Sequence, residues 1–289
     1  MTNTGISGAG PARLAADAPR LDALVTATVI HVGRTAVVLR TSGGALVPVT
    51  SATHGLVPGG VCLGAGIGGL GLTSRGAVGA SLEPGPWRAL VRAAPRVDLG
   101  VAKGAVDPVA ALALLAGALA ASADGGGRGA MDAGPTRRAA RVLVAAAGAA
   151  DPGGVRAVLH RLVGVGPGST PSGDDVVVGV LAGLDRRCDA TAERAGAAIR
   201  HVLPALLHRT TSLSRHALAA VLRGQVAERV HLLLAATTEP GTVGAALRAA
   251  RTWGATSGLD LAAGVAAGAV GVAVAGPVSR PVDALRVGA

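Results

Sequence analysis

Two segments of this chain repeat one pattern of small and acidic residues, Ser-Gly-x-Asp-x-x-x-Gly-x-x-x-Gly, starting once at Ser172 and once at Ser257. The last two glycines of each copy are four positions apart, so they lie on one face of a helix. A face without side chains lets two helix backbones approach closely. The repeat predicts that helices near 172–185 and 258–274 pack together, although a chain so rich in Ala and Gly also yields such matches by chance.

Each copy carries an aspartate in the first turn of its predicted helix, Asp175 in one and Asp260 in the other. Paired helices that start at the same place bring these two side chains together. We therefore expect one site at which both helix N-termini and both carboxylates meet.

The first copy is preceded by a turn that is typical of an anion site. Residues 164–175 contain four glycines, three hydroxyl side chains and two carboxylates. Thr170 before Pro171 predicts an N-cap with proline in the first helical position, and the free N–H groups of such a start attract anions. The two carboxylates repel an anion unless a cation or an arginine intervenes. The alternative is a glycine-rich turn with a capping box between Ser172 and Asp175.

A third segment, residues 209–216, is dense in hydrogen-bond donors. It holds two arginines, a histidine and four hydroxyls, and it opens an apolar-periodic run that Gly224 ends as a C′ residue. These donors suit an anionic substrate beside the two carboxylates. A solvated helix cap with surface arginines is the alternative.

Three sequence segments, in this order, resemble the signature segments of the bacterial family that includes AllH, a subunit of oxamate carbamoyltransferase. They are GVGPGSTPSGDD from Gly164, TTSLSRHALAAVLRG from Thr210 and GATSGLD from Gly254. The resemblance covers 150–289 well and the N-terminal third only loosely. The family's third segment usually has a histidine before Thr-Ser-Gly, and Ala255 occupies that position here. If that histidine transfers a proton or binds a ligand, the activity of this chain is altered.

The resemblance implies a subunit of an enzyme of allantoin and purine nitrogen catabolism. That enzyme converts oxalurate and phosphate to oxamate and carbamoyl phosphate, and it needs other subunits. A non-catalytic assembly subunit of such a complex is the alternative, and a membrane-embedded helical protein is a third class.

If this subunit carries the reaction, the N–H groups of residues 166–173 hold a phosphate or carboxylate and Arg215 neutralises charge. Asp174 or Asp175 then binds Mg²⁺, the one candidate cofactor, or orients the substrate amide. The candidate catalytic residues are Asp174, Asp175, Arg215 and His216. The candidate substrate-binding residues are Gly166, Gly168, Ser169, Thr170, Ser172, Gly173, Thr211, Ser212, Thr256, Ser257, Gly258 and Asp260.

Composition restricts the partners and the compartment. The net charge is +10, but the arginines are spread along the chain and no aromatic residues are interleaved with them on which bases could stack, so we expect no nucleic-acid ligand. A small anion or an acidic partner subunit explains the surplus equally well. Cys62 and Cys188 form no disulfide scaffold, which favours the cytoplasm. The long apolar runs consist mainly of Ala and Gly, which insert weakly into membranes, so we expect buried helices.

The predicted fold is α+β, with a small antiparallel β-rich domain followed by a larger all-α domain of closely packed, glycine-faced helices. We expect a disordered lead-in over 1–20, the β-rich domain over 21–104 and the helical domain over 105–289. Strands are predicted at 25–32, 36–40 and 45–49, with a hairpin at 42–44 and a flexible loop at 121–135. Helices are predicted at 107–122, 136–149, 153–163, 172–187, 190–208, 212–223, 226–236, 242–252 and 258–274.

Overall fold

The computed structural model of the chain describes residues 12–19, 27–33, 36–64, 66–70, 78–80, 92–121 and 134–271. It divides into two compact units, residues 1–100 with 227–229, and residues 101–226 with 230–289. Three predictions lie partly or mainly outside the described residues. They are the lead-in up to residue 11, the loop after residue 121 and the last helix beyond residue 271.

The first unit carries a mainly antiparallel sheet, which confirms the predicted β-rich N-terminal region. Its described strands are β1 (Arg13–Ala15), β2 (Thr28–Val32), β3 (Ala36–Arg40), β4 (Leu46–Ser51), β5 (Val61–Leu63) and β6 (Arg96–Val97). They are ordered β2-β3-β4-β5-β1-β6. The predicted hairpin joins β3 to β4, where Val37 pairs with Val49. Two pairs, β4 with β5 and β1 with β6, are parallel.

Small aliphatic side chains form the core of this sheet. Val29, Leu39, Val47 and Leu56 are fully buried in one cluster. Strand β1 lies within the range predicted as a disordered lead-in. Its Leu14 and Ala15 belong to the same core. A strand of three residues is too short to show an alternating pattern in the sequence, so burial of these side chains in the core fixes its conformation.

The second unit is helical, which confirms the predicted architecture. Its described α-helices are α1 (Pro108–Ala120), α2 (Gly134–Gly148), α3 (Pro152–Leu162), α4 (Ser172–Arg186), α5 (Ala190–Val202), α6 (Ser212–Leu222), α7 (Glu228–Ala236), α8 (Val243–Ala250) and α9 (Ser257–Val270). The first two residues of α7 are grouped with the first unit. Helix α1 begins as predicted, with the Asp107 side chain accepting hydrogen bonds from the N–H groups of Val109 and Ala110.

One predicted helix is shorter than expected. The pattern predicts a helix over 190–208, but α5 ends at Val202 and a 3-10 segment follows over Leu203–Arg209. Pro204 stands in the first turn of that segment. Its missing N–H removes a hydrogen bond that an α-helix interior needs, so the helix ends before it.

Helices α4 and α9 pack backbone against backbone along their glycines. An ideal Cβ on Gly179 would lie 2.5 Å from the carbonyl oxygen of Leu261, and one on Gly264 would lie 2.4 Å from that of Val176. Gly183 and Gly268 repeat the same reciprocal contact one turn later, at 2.2 and 2.4 Å from the facing carbonyl oxygens. The two copies of the sequence repeat therefore form one symmetric helix pair.

Candidate functional site

Hydroxyl groups join the start of α4 to the start of α9. The Ser172 and Thr256 hydroxyl oxygens are 3.0 Å apart. The Thr170 and Ser257 hydroxyl oxygens are also 3.0 Å apart. These four side chains, here called the hydroxyl quartet, show that the two helix N-termini meet at one place, as the repeat predicts.

The predicted N-cap at Thr170 is wrong by one residue. Helix α4 begins at Ser172, and Pro171 takes the cap position with ψ at 138° and no side-chain capping bond. An extended Pro171 is not the first helical residue. The Thr170 hydroxyl contacts Ser257 across the helix pair instead, and the Ser172 hydroxyl contacts Thr256.

Gly173 and Gly258 are required by packing. An ideal Cβ on Gly173 would lie 1.9 Å from the carbonyl oxygen of Leu162, at the end of α3. One on Gly258 would lie 1.9 Å from the carbonyl oxygen of Ala250, at the end of α8. The N–H of Gly173 donates to the carbonyl of Val165 at 2.9 Å. Their position at the two helix starts is thus explained without a ligand.

Asp174 ties three segments together. Its Oδ1 accepts a hydrogen bond from the Gly164 N–H at 2.9 Å, and its Oδ2 accepts one from the Thr210 hydroxyl. The side chain is 1% exposed. Burial raises the pKa of Asp174, while the hydrogen bonds from Thr210 and Gly164 act in the opposite direction. Both carboxylate oxygens are engaged by donors within the protein.

Asp175 points in a different direction from Asp174 and reaches the helix pair. Its Oδ2 is buried and has no hydrogen-bond partner in the described part of the chain. Burial raises the pKa of Asp175 well above its ordinary value, the Ser257 hydroxyl lowers it, and the charges of Asp260 and Asp174 raise it further. We expect Asp175 to hold its proton more strongly than an exposed aspartate does.

Asp260, the equivalent of Asp175 in the second copy, is paired with an arginine that the sequence analysis missed. The Nε of Arg137 donates to Oδ1 of Asp260 at 2.7 Å, and both side chains are almost completely buried, at 3% and 0% exposure. Nη1 of Arg137 donates to the carbonyl of Ala118 at 3.1 Å. Burial raises the pKa of Asp260 and Arg137 opposes that shift. Oδ2 of Asp260 has no hydrogen-bond partner among the described residues.

Segment 209–216 contacts the glycine-rich turn through Thr211. The Thr211 hydroxyl caps α6 by accepting from the Ser214 N–H at 3.1 Å, and it donates to the Ser169 carbonyl at 2.6 Å. Arg215 is exposed and donates to the carbonyls of Leu207 and Thr210 at 2.9 and 3.3 Å. It therefore fixes the chain that supports the turn.

The remaining predicted residues lie on the outer side of this arrangement. Ser212 is exposed and His216 is half-buried, both on the first turns of α6. Gly166 and Gly168 have φ angles of 124° and 90°, which glycine adopts readily. The N–H groups of Gly168, Ser169 and Thr170 donate no hydrogen bond within the described part of the chain. The turn thus presents free donors to the surface.

These features lie inside a region that is similar to a known family. Residues 162–269 match the family model of oxamate carbamoyltransferase subunit AllH. The match confirms the resemblance inferred from the three segments, and it spans both copies of the repeat. The AllH family is named for a subunit and thus for one component of a multi-subunit enzyme. Neither a curated protein nor a solved structure matches the chain.

Two further results concern the predicted partners. Among the described residues, no group of three or more His, Cys, Asp or Glu side chains is arranged to hold a metal ion. In the same part of the chain, no helix combines the length and the apolar character needed to cross a membrane. Mg²⁺ binding by Asp174 and Asp175 stays a prediction.

Arg137 and Thr210 are the site residues that sequence reasoning did not find. A signal for Arg137 exists, because the buried face of α2 contains Arg137, Ala140, Val144 and Ala147. An arginine on the same helix face as these apolar residues is buried with them and needs a buried partner. That partner is Asp260.

Proposed function

We propose that this chain is a subunit of an oxamate carbamoyltransferase-like enzyme and binds a small anionic substrate or phosphate where α4 and α9 begin. The observation that carries the proposal is the convergence of the three segments that resemble the family. Hydrogen bonds join Thr170 to Ser257, Ser172 to Thr256 and Ser169 to Thr211. Residues far apart in sequence thereby form one surface rich in donors.

The chemistry of this surface suits anions. Two helix N-termini each place the positive end of a dipole there, and the turn adds the N–H groups of Gly168, Ser169 and Thr170. Donors fixed by the fold bind an anion without the entropy loss of ordering them. Substrates and products of carbamoyl transfer, namely oxalurate, phosphate, oxamate and carbamoyl phosphate, are all small anions.

In that reaction a phosphate oxygen bonds to the ureido carbon of oxalurate. The bond from this carbon to the oxamate nitrogen breaks, and the nitrogen takes up the proton that hydrogen phosphate loses. Negative charge develops on the ureido oxygen as the bond forms. Turn N–H groups and quartet hydroxyls are the donors that would stabilise it.

Thermal unfolding of the purified chain with phosphate, carbamoyl phosphate, oxamate and Mg²⁺ tests the proposal. A ligand that binds the folded state raises the melting temperature, because at a hundredfold excess over Kd it adds about 2.7 kcal/mol to the free energy of unfolding. We expect a shift with at least one anion, and a loss of that shift in the double variant Ser172→Ala/Thr256→Ala. Thr238→Ala, which removes an exposed hydroxyl whose one hydrogen bond within the described residues goes to the Ala235 carbonyl, is the matched control.

A non-catalytic assembly subunit is the second candidate, favoured by helix α1. That helix contains no polar side chain, and Val109 and Leu112 are 66% and 37% exposed on it. These two residues are three positions apart and so lie on one helix face, and adjoining exposed apolar side chains mark interaction surfaces more often than single ones do. Co-purification with the enzyme's other subunits that survives Asp174→Ala but is lost in Val109→Asp/Leu112→Asp supports this candidate, provided that no anion shifts the melting temperature.

A further inference from the structure

The two carboxyl groups beneath the hydroxyl quartet each have one acceptor atom that the protein leaves unused. Asp175 and Asp260 occupy equivalent positions in the repeat, and Oδ2 of each is buried without a hydrogen-bond partner among the described residues. Asp175 is 9% exposed and Asp260 is 0% exposed. An unsatisfied buried polar atom destabilises a folded protein, because it gives up its hydrogen bond to water without gaining another. Two such atoms at symmetric positions need an explanation other than packing.

Both carboxyl groups face the hydroxyl quartet. The Ser257 hydroxyl lowers the pKa of Asp175, and the hydroxyls of Thr256 and Ser172 lower the pKa of Asp260, so these hydroxyls lie close to the two carboxyl groups. The quartet residues Thr170, Thr256 and Ser257 are half-buried, whereas Asp175 and Asp260 are buried. A group that approaches the common start of the two helices therefore meets these hydroxyls before the acids.

A primary amide is the group that fits these acceptors. Its NH₂ donates two hydrogen bonds, and its carbonyl accepts from a hydroxyl or from a protonated carboxyl. An anion is disfavoured by two acids. Arg137 already balances the charge of Asp260, and among the described residues no third acidic, His or Cys side chain joins the two acids to hold a metal ion.

We propose that Asp175 and Asp260 form the floor of a subsite that binds the NH₂ of a carbamoyl or primary amide group, with the hydroxyl quartet at its entrance. The choice of oxamate as probe rests on the proposed function. In this arrangement the turn N–H groups hold the anionic part of the substrate, and the two acids select the amide end.

Oxamate and pyruvate test the subsite, because they have the same charge and nearly the same shape and differ in NH₂ against CH₃. Titration calorimetry on the full purified chain is expected to show oxamate binding at least about tenfold tighter than pyruvate, since a site built to accept N–H groups rejects an analogue without them. Phosphate and Mg²⁺ are titrated in parallel.

Asp175→Ala is expected to bring the oxamate-to-pyruvate ratio close to one. Asp151→Asn, which replaces an exposed N-cap on α3 by an equally good one, is expected to keep the wild-type ratio. Far-UV circular dichroism confirms that both variants are folded. If Asp175→Ala does not fold, threonine-methyl NMR of the wild type decides, with oxamate but not pyruvate shifting the signals of Thr170 and Thr256.

The outcomes separate this inference from the proposed function. Equal binding of oxamate and pyruvate overturns the amide subsite, and phosphate binding in the same experiment leaves the proposed anion site standing. Mg²⁺ binding that depends on Asp175, without a preference for oxamate, overturns it in favour of a cation site. No binding of oxamate overturns it as well, and no binding of any anion counts against both proposals.

Discussion

Adding one methyl group at a glycine where α4 and α9 are in contact should separate the two helices. In Gly179→Ala the new Cβ would stand 2.5 Å from the carbonyl oxygen of Leu261 and 2.8 Å from the N of Val265. Ordinary contacts begin at 3.4 Å, so the backbones must move apart by about 1 Å. Both neighbours are backbone atoms of a buried helix, so no side chain can rotate away.

The magnitude follows from two opposing effects. Overpacking a core typically destabilises by about 1–3 kcal/mol, and a contact with backbone belongs at the upper end of that range. Replacing Gly by Ala inside a helix stabilises by about 1 kcal/mol. We expect a net loss of about 2 kcal/mol, or roughly 4–8 °C in Tm for a unit of this size.

Gly244→Ala is the matched control for this substitution. Gly244 lies in α8 and is exposed, and a Cβ there would have its nearest neighbour, Nη1 of Arg248, at 3.5 Å. Helix propensity alone predicts that this variant is slightly more stable than the wild type. Urea unfolding followed by far-UV circular dichroism measures both. A Gly179→Ala variant as stable as Gly244→Ala would refute close backbone packing between α4 and α9.

Three further substitutions test the buried charges. Arg137→Met leaves Asp260 buried without its cation and should destabilise the fold by about 3–5 kcal/mol in urea unfolding; Arg137→Met with Asp260→Leu should recover most of that loss. The folded protein holds the Asp175 proton more tightly than the unfolded chain does, so the stability of the wild type should fall as the pH rises above 3.8. Asp175→Asn should lack that fall. In the first unit, burial and Arg229 lower the pKa of His54 to about 4, so stability should fall as the pH drops from 6.5 towards 4, less so in His54→Gln. Thermal scans across pH check both, and parallel wild-type and variant curves would contradict them.

The start of α1 was predictable from sequence because it depends on local chemistry, whereas at α4 Pro171, and not the predicted Thr170, takes the cap position. Asp107 before Pro108 supplies both a capping oxygen and a residue that needs no N–H partner, and α1 begins there. The pairing of α4 with α9 was predictable for a different reason. Glycines four apart mark a face on which only another backbone fits closely, and the chain contains two such faces.

Long-range partners were not predictable in the same way. Strands β5 and β6 have three and two residues, so neither shows an alternating pattern, and their neighbours in the sheet decide their conformation. Asp174 illustrates the same limit within the site. Its position next to Asp175 suggests a pair of equivalent carboxylates. However, successive helix residues point in different directions, so Asp174 binds Gly164 and Thr210 while Asp175 reaches the helix pair.

At the reciprocal glycine contacts between α4 and α9 the nearest facing atoms are all backbone atoms, which have no rotamer to change. One helix therefore cannot slide past the other by a change of side-chain rotamer when a molecule binds at their common start. Adjustment to a ligand is left to the turn over 164–170 and to the rotating hydroxyls of Ser and Thr. The positions of Asp175 and Asp260 should therefore be the same whether the site is empty or filled. Ligand binding there should not drive a domain closure of the kind seen in other enzymes.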